Sequence, residues 1–186
     1  MTEILLREKY NTAPDILTPR LLMRAHRASD FDAVATMWAD DDVVRHITGK
    51  PSTPTESWAR LIRYIGHWPA LGFGGWALED RQTGAYLGAV GFADYKRIIT
   101  PSISGIPEAG WVLAPHAHGR GLAHEALSAS LQWADRHFVE DRIVAIISPE
   151  HERSIRLAEK CGFVAMGNAM LADDPVLLME RRRAPR

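Results

Sequence analysis

Apolar residues recur along the chain with two periods, and each change of period marks a new element. Residues 20–25 (RLLMRA) read as a first strand. Ser29 or Asp30 then caps a helix to about Asp41, with Phe31, Val34, Met37 and Trp38 on one face. The next helix start is sharper. Thr53-Pro54-Thr55-Glu56 supplies a cap, a first-turn proline and a glutamate that can reach back to the cap. Trp58, Leu61, Ile62 and Ile65 form its apolar stripe, and the helix is expected to end before Pro69. Phe73–Leu78 and Tyr86–Phe92 flank turn residues 80–84 and predict a hairpin. Residues 96–107, with glycine, serines and prolines, predict a mobile loop. Ala109–Leu113 is a strand. A helix from Leu122 to about Phe138 follows, with Leu127, Leu131 and Ala134 on a broad core face. Arg142–Ile147 is a continuous apolar run, as for a strand covered on both faces. A short helix over 152–160 ends at Cys161-Gly162, and strands are expected near 163–170 and 175–181.

The resulting order, β-αα-βββ-α-β-α-ββ, is mixed α/β. It lacks the regular alternation of a doubly wound nucleotide-binding sheet. No repeat or low-complexity linker divides the chain, so residues 1–186 are read as one domain. The net charge of −1 gives no electrostatic reason to expect nucleic acid or an anionic membrane as a partner. The basic end, Glu180 to Arg186, reads as a solvated tail. One cysteine, Cys161, cannot close an internal disulfide and reads as a packing thiol. No run is long enough for a membrane span, and MTEILLREKY lacks a signal-peptide pattern. A soluble cytoplasmic protein is the expectation.

The chemistry concentrates in Trp111 to Glu125, WVLAPHAHGRGLAHE. A strand stops at a proline, a loop with Gly119 and Gly121 follows, and a helix opens from it. Unpartnered N–H groups and the helix dipole make such a start an anion site, and the glycines let a phosphate approach the backbone. The plain alternative is an ordinary basic connecting loop. The loop lacks the Gly-Lys-Ser/Thr of nucleotide hydrolases. His116, His118 and His124 suggest a metal cluster, but no acidic or cysteine partner stands at ligand spacing, so no metal is expected.

A second signal lies about thirty residues on, from His151 to Phe163 (HERSIRLAEKCGF). Together the two resemble the GNAT superfamily of acetyl-CoA-dependent N-acetyltransferases. That family has Gln/Arg-x-x-Gly-x-Gly/Ala and then Asn-x-x-Ser followed by Glu-Lys-x-Gly-Phe. Thr18 to Arg24, Ser29-Asp30-Phe31 and Gly110 to Leu113 further resemble the RimJ/RimL branch, named for acetylation of ribosomal-protein N-termini. The resemblance implies a mostly antiparallel sheet whose two central parallel strands splay apart, flanked by about four helices. It implies acetyl-CoA as cosubstrate and a primary amine as acceptor, either a protein N-terminus or a small molecule. It also allows a homodimer.

By the same resemblance, Trp111, Val112 and Leu113 offer backbone groups to the pantetheine arm. The N–H groups of His118 to Leu122, including Gly119 and Gly121, hold the pyrophosphate, Arg120 adds charge, and small Ala123 lets loop and helix sit close. His116 and His151 replace the family's Gln/Arg and Asn and still can donate hydrogen bonds. The family reaction is direct attack of a neutral amine on the thioester, which needs a base. Glu108, at the start of the strand beside the acyl donor, is the candidate base, or else a solvated strand-end carboxylate. Ser154 is the candidate partner near the sulfur, or else a helix cap. Ala158 stands where many members carry a tyrosine acid, which leaves open a non-catalytic acyl-CoA-binding protein of the same fold. Of the tryptophans at 38, 58, 68, 76, 111 and 133, most are assigned to packing. Trp68 and Phe73 are the expected substrate-cleft pair. Asp40-Asp41-Asp42 reads as a solvated helix end or a receiver of a cationic amine.

Overall fold

The computed structural model describes residues 3–183. A short strand, β1 (Ile16–Leu17), pairs with β2 (Leu21–Arg24). Helices α1 (Phe31–Trp38), α2 (Asp41–Val44) and α3 (Pro54–Leu71) follow, then β3 (Gly75–Asp80) and β4 (Tyr86–Ala93). The chain continues through β5 (Ile99–Thr100), β6 (Glu108–Leu113), α4 (Leu122–His137) and β7 (Arg142–Ile147). It closes with α5 (Glu152–Lys160), β8 (Val164–Leu171) and β9 (Asp174–Arg182). Among the described residues these make one nine-stranded, mixed and mostly antiparallel sheet, in the order β1-β2-β3-β4-β6-β7-β9-β8-β5, with five α-helices.

Local chemistry set most boundaries, and each departure from expectation has a physical cause. The first helix stops at Trp38 rather than Asp41. The Asp40 carboxylate accepts from the N–H groups of Asp42 (2.9 Å) and Val43 (3.3 Å) and starts a separate helix. The aspartate run is therefore a cap, with Asp42 also paired to Arg45. Thr53 and Glu56 do form the reciprocal cap of α3. Pro69 fails to end that helix, which continues to Leu71 and stops at left-handed Gly72. A proline this close to the C-terminus forfeits one helical hydrogen bond near the end and little else. The segment 96–107 is not simply a loop, because Ile99–Thr100 pairs with Leu171 and Met170 of β8. The basic end is not simply a tail either. Residues 180–182 belong to β9, where buried Glu180 is held by Arg142 and Arg182. Residues 184–186 lie outside the described residues.

Between the sheet and α4 sits an aromatic core. Trp76 packs edge-on against Trp68 (centroids 4.8 Å) and Trp133 (5.2 Å), and Phe138 packs against Phe73 (5.1 Å) and Phe92 (5.3 Å). Trp68 and Phe73 are thus core residues, 2 % and 1 % exposed, and do not line a cleft. Of the stripe expected on α3, Leu61 is buried while Trp58 and Ile62 are exposed. Truncation in the aromatic core leaves a large void. Trp133→Ala is expected to cost about 3–5 kcal/mol of unfolding free energy, read from urea denaturation.

His26 is buried against the Tyr64 ring, centroids 4.7 Å apart. Burial pushes its pKa from 6.5 down to about 4. The ring is therefore neutral in the folded chain, whereas the unfolded chain takes up the proton as pH falls through 6.5. Stability from this group is complete above that pH and is lost on the way down to pH 4, at up to about 1.4 kcal/mol per pH unit. Urea midpoints at pH 7 and pH 5 should show the loss, and His26→Gln should flatten it.

Candidate active site

The two parallel strands β6 and β7 touch only at their starts. Glu108 is in register with Val144, and the Val144 N–H donates to Pro107 O at 3.0 Å. Beyond that point they diverge, and a cavity of about 620 Å³ opens between them. Its walls come from β4, β6 and β7, with Tyr64 and His67 of α3, His46, Tyr95 and Arg97 added from outside. Its volume is that of a small-molecule site.

One wall is an unpaired strand edge. Ala114 N–H donates to Leu87 O at 2.9 Å across the β4–β6 ladder. Antiparallel alternation then commits Val112 to β4 and turns the backbone groups of Trp111 and Leu113 toward the gap. Val112 therefore has no backbone group for a ligand, and its side chain packs with Val34 and Leu61. The Leu113 carbonyl is met by His118 Nε2 at 2.8 Å. Trp111 keeps both of its backbone groups on the gap side.

At the wide end of the gap lies the glycine loop. His118 N–H is used by Pro115 O, but among the described residues the N–H groups of Gly119 to Ala123 meet no acceptor. Gly119 (φ 72°) and Gly121 (φ 74°) are left-handed, and Gly121 opens α4. A Cβ built at Gly119 meets nothing within 4 Å, and at Gly121 the nearest atom is Arg20 Nη2 at 3.6 Å. Packing does not demand these glycines; the open space beside the bare amides does, if an anion is to enter. Glu125 braces the loop from below, accepting from Arg20 Nε (2.7 Å) and Thr18 Oγ1 (2.6 Å), while Arg20 also donates to Arg120 O (2.6 Å). Sequence reasoning missed this brace, although Thr18 and Arg20 stood in the motif it singled out. The Arg120 guanidinium turns to Asp80 (3.4 Å), Leu122 is core, and His116 is exposed.

Two further groups stand along the gap. Ser154 Oγ accepts from Trp111 Nε1 at 3.3 Å and does not cap α5. His151 is stacked on His46, rings 4.8 Å apart. Burial first, then His46, Arg153 and His118, lowers the His151 pKa to about 4, so the ring is neutral at pH 7. At the apex, Glu108 is buried and gripped bidentately by Arg97, with Nε 2.6 Å and Nη2 2.8 Å from its two oxygens. Cys161 is half-buried and burial raises its pKa, which keeps it a thiol. Tyr64, His67, Tyr95, Arg97 and His46 were not found from sequence. The i, i+3 spacing of Tyr64 and His67 was the available signal.

A splayed parallel pair beside a bare-amide loop is the architecture that the motifs implied. Residues 20–164 match the Acetyltransferase (GNAT) domain family. The chain belongs to that family. It is 32 % identical to a GNAT-family acetyltransferase from Bordetella pertussis, covering 91 % of this chain and 99 % of that one with a TM-score of 0.79. It is 28 % identical over 151 residues to the N-acetyltransferase YnaD of Bacillus subtilis, covering 79 % of this chain and 81 % of that one. A spermidine N-acetyltransferase from Vibrio cholerae, solved with CoA and spermine, shares the fold at 19 % identity and a TM-score of 0.68, covering 89 % of this chain and 96 % of that one. The protein is a GNAT acetyltransferase. Among the described residues no helix is long and apolar enough to cross a membrane, and no group of three or more acidic, histidine or cysteine side chains could hold a metal.

Proposed function

We propose that this acetyltransferase uses acetyl-CoA and moves its acetyl group to a primary amine at the apex of the β6–β7 gap. The row of unpartnered N–H groups from Gly119 to Ala123 carries the reading. These amides and the α4 dipole hold the pyrophosphate, with Arg120 and His116 at its margin. The pantetheine arm lies along β6, where Trp111 can pair with its amides as an added strand does, and Leu113 N–H extends the edge. The arm then passes Ser154 and the neutral His151.

The reaction balances without any further reagent. The amine nitrogen forms a bond to the thioester carbonyl carbon and loses a proton, the carbon–sulfur bond breaks, and the thiolate takes up a proton. Glu108 is a buried carboxylate at the point where β6 and β7 meet. In this reading it takes the amine proton through the lone pairs that Arg97 leaves free, and Arg97 fixes its orientation. Ala158 cannot protonate the thiolate, so Ser154 or water does so. The acceptor enters past Tyr64, His67 and Tyr95, the place first assigned to Trp68 and Phe73. The RimJ/RimL-like opening residues favour a protein N-terminus, and a cavity of small-molecule size favours a small amine.

The test is calorimetric uptake of CoA followed by thiol release from acetyl-CoA over an amine panel. Uptake with turnover supports the reading. Folded protein that takes up no CoA ends it. Uptake without turnover on any amine leaves the non-catalytic acyl-CoA-binding alternative, which Ala158 and the Arg97-clamped Glu108 favour.

A further inference from the structure

The connection from β4 to β6 borders a second, smaller cavity of about 210 Å³. It shares four lining residues with the first, Ala93, Tyr95, Arg97 and Glu108. The Arg97–Glu108 pair and the Tyr95 ring therefore form a common wall. The guanidinium groups of Arg97 and Arg63 lie 4.8 and 5.2 Å from the centre of that ring and help to hold it. Another wall is a turn. Ile106 N–H donates to Ile103 O at 3.0 Å, and Gly105 at the third position has φ 83°, as a type II turn requires. The turn brings Ile103 and Ile106 to the cavity, and both pack with Val144 and Val176 in a separate apolar cluster.

The charges of this lining are matched within it. Lys96 Nζ meets Asp94 at 2.5 Å, and Arg97 Nε meets Glu108 at 2.6 Å. Burial raises the pKa of Tyr95, which keeps it a neutral phenol. An ionised group entering here would leave water for a place with no counter-charge to spare, which is costly. The volume is below the range of pockets that hold a whole ligand, so it suits one substituent of a ligand whose remainder lies elsewhere. Resting on the acetyl-transfer reading, we infer that the smaller cavity is the acceptor's specificity pocket and takes an uncharged, mainly hydrocarbon group carried by the primary amine. The nitrogen then lies at Glu108, which lines both cavities, and the thioester lies in the larger one. The hydrocarbon group exchanges water for contact with Ile103, Ile106 and the Tyr95 ring. Methylamine leaves the pocket to water, and a diamine or an amino acid brings a charge that the pocket cannot match.

The experiment compares kcat/KM for thiol release from acetyl-CoA with isobutylamine, phenethylamine, methylamine, putrescine and β-alanine. A leucine-first and an aspartate-first tripeptide repeat the comparison for a peptide N-terminus. In whichever class is turned over, the apolar acceptors are expected to exceed the others at least tenfold, the discrimination that buried methylene groups provide. Ile103→Asn keeps the bulk of the side chain but makes it polar. It should shrink the isobutylamine-to-methylamine ratio by about that factor, chiefly through KM for isobutylamine, with CoA uptake by calorimetry confirming a folded variant. Turnover in which the methyl or charged acceptors match or exceed the apolar ones overturns the inference and leaves acetyl transfer standing. An unchanged ratio in Ile103→Asn overturns it as well, and absence of turnover on every acceptor overturns both.

Discussion

Glu108→Gln is expected to lower kcat by about 10²- to 10⁴-fold, the range for removing a positioned base. Glutamine keeps the size of the side chain and can still accept from Arg97, but it cannot take a proton from the amine. Glu108 sits where β6 and β7 part, more than the length of a strand from the glycine loop, so CoA uptake should be unchanged. Steady-state kinetics with saturating acetyl-CoA, alongside calorimetry of CoA, separates the two quantities. A variant with wild-type kcat removes Glu108 from the chemistry and reduces the Arg97 pair to a structural tie. The control is Arg97→Gln, which releases Glu108 from its clamp without removing the carboxylate. A base that Arg97 merely orients loses less rate in that variant than in Glu108→Gln.

The double variant Gly119→Ala/Gly121→Ala is expected to weaken CoA binding by at least about a hundredfold. The estimate assumes that two charge-assisted hydrogen bonds, at about 1.5–3 kcal/mol each, are lost or badly strained. Both positions have positive φ, so each alanine also costs about 1 kcal/mol of backbone strain. Neither added methyl meets a protein atom closer than 3.6 Å, so no clash accompanies that strain. The fold should therefore persist, with a modest drop in melting temperature, while the CoA isotherm flattens. An unchanged CoA affinity would show that the pyrophosphate lies elsewhere.

The unequal legibility of fold and site follows from how local each cause is. The cap at Thr53–Glu56, the buried run of β7 and the left-handed stop at Gly162 are written within a few residues, and each element formed where they stand. The anion loop is equally local, since a strand end, glycines and a helix start suffice to bare its amides. Other departures arose where distant partners intervened. Ile99–Thr100 became a strand because β8 supplied an edge, and Trp68 and Phe73 were drawn inward by Trp76 and Phe138. Val112 lost its assigned role through a parity fixed only by pairing with β4.

Sequence alone thus determined the helices, most of the strands and the bare amides of residues 119–123, because hydrogen-bond partners within a turn or two decide such features. Tertiary structure alone decided the divergence of β6 from β7, the Arg97 clamp on Glu108 and the arginines around Tyr95. Those contacts join segments that no local preference brings together. Burial of the common core sets their distances.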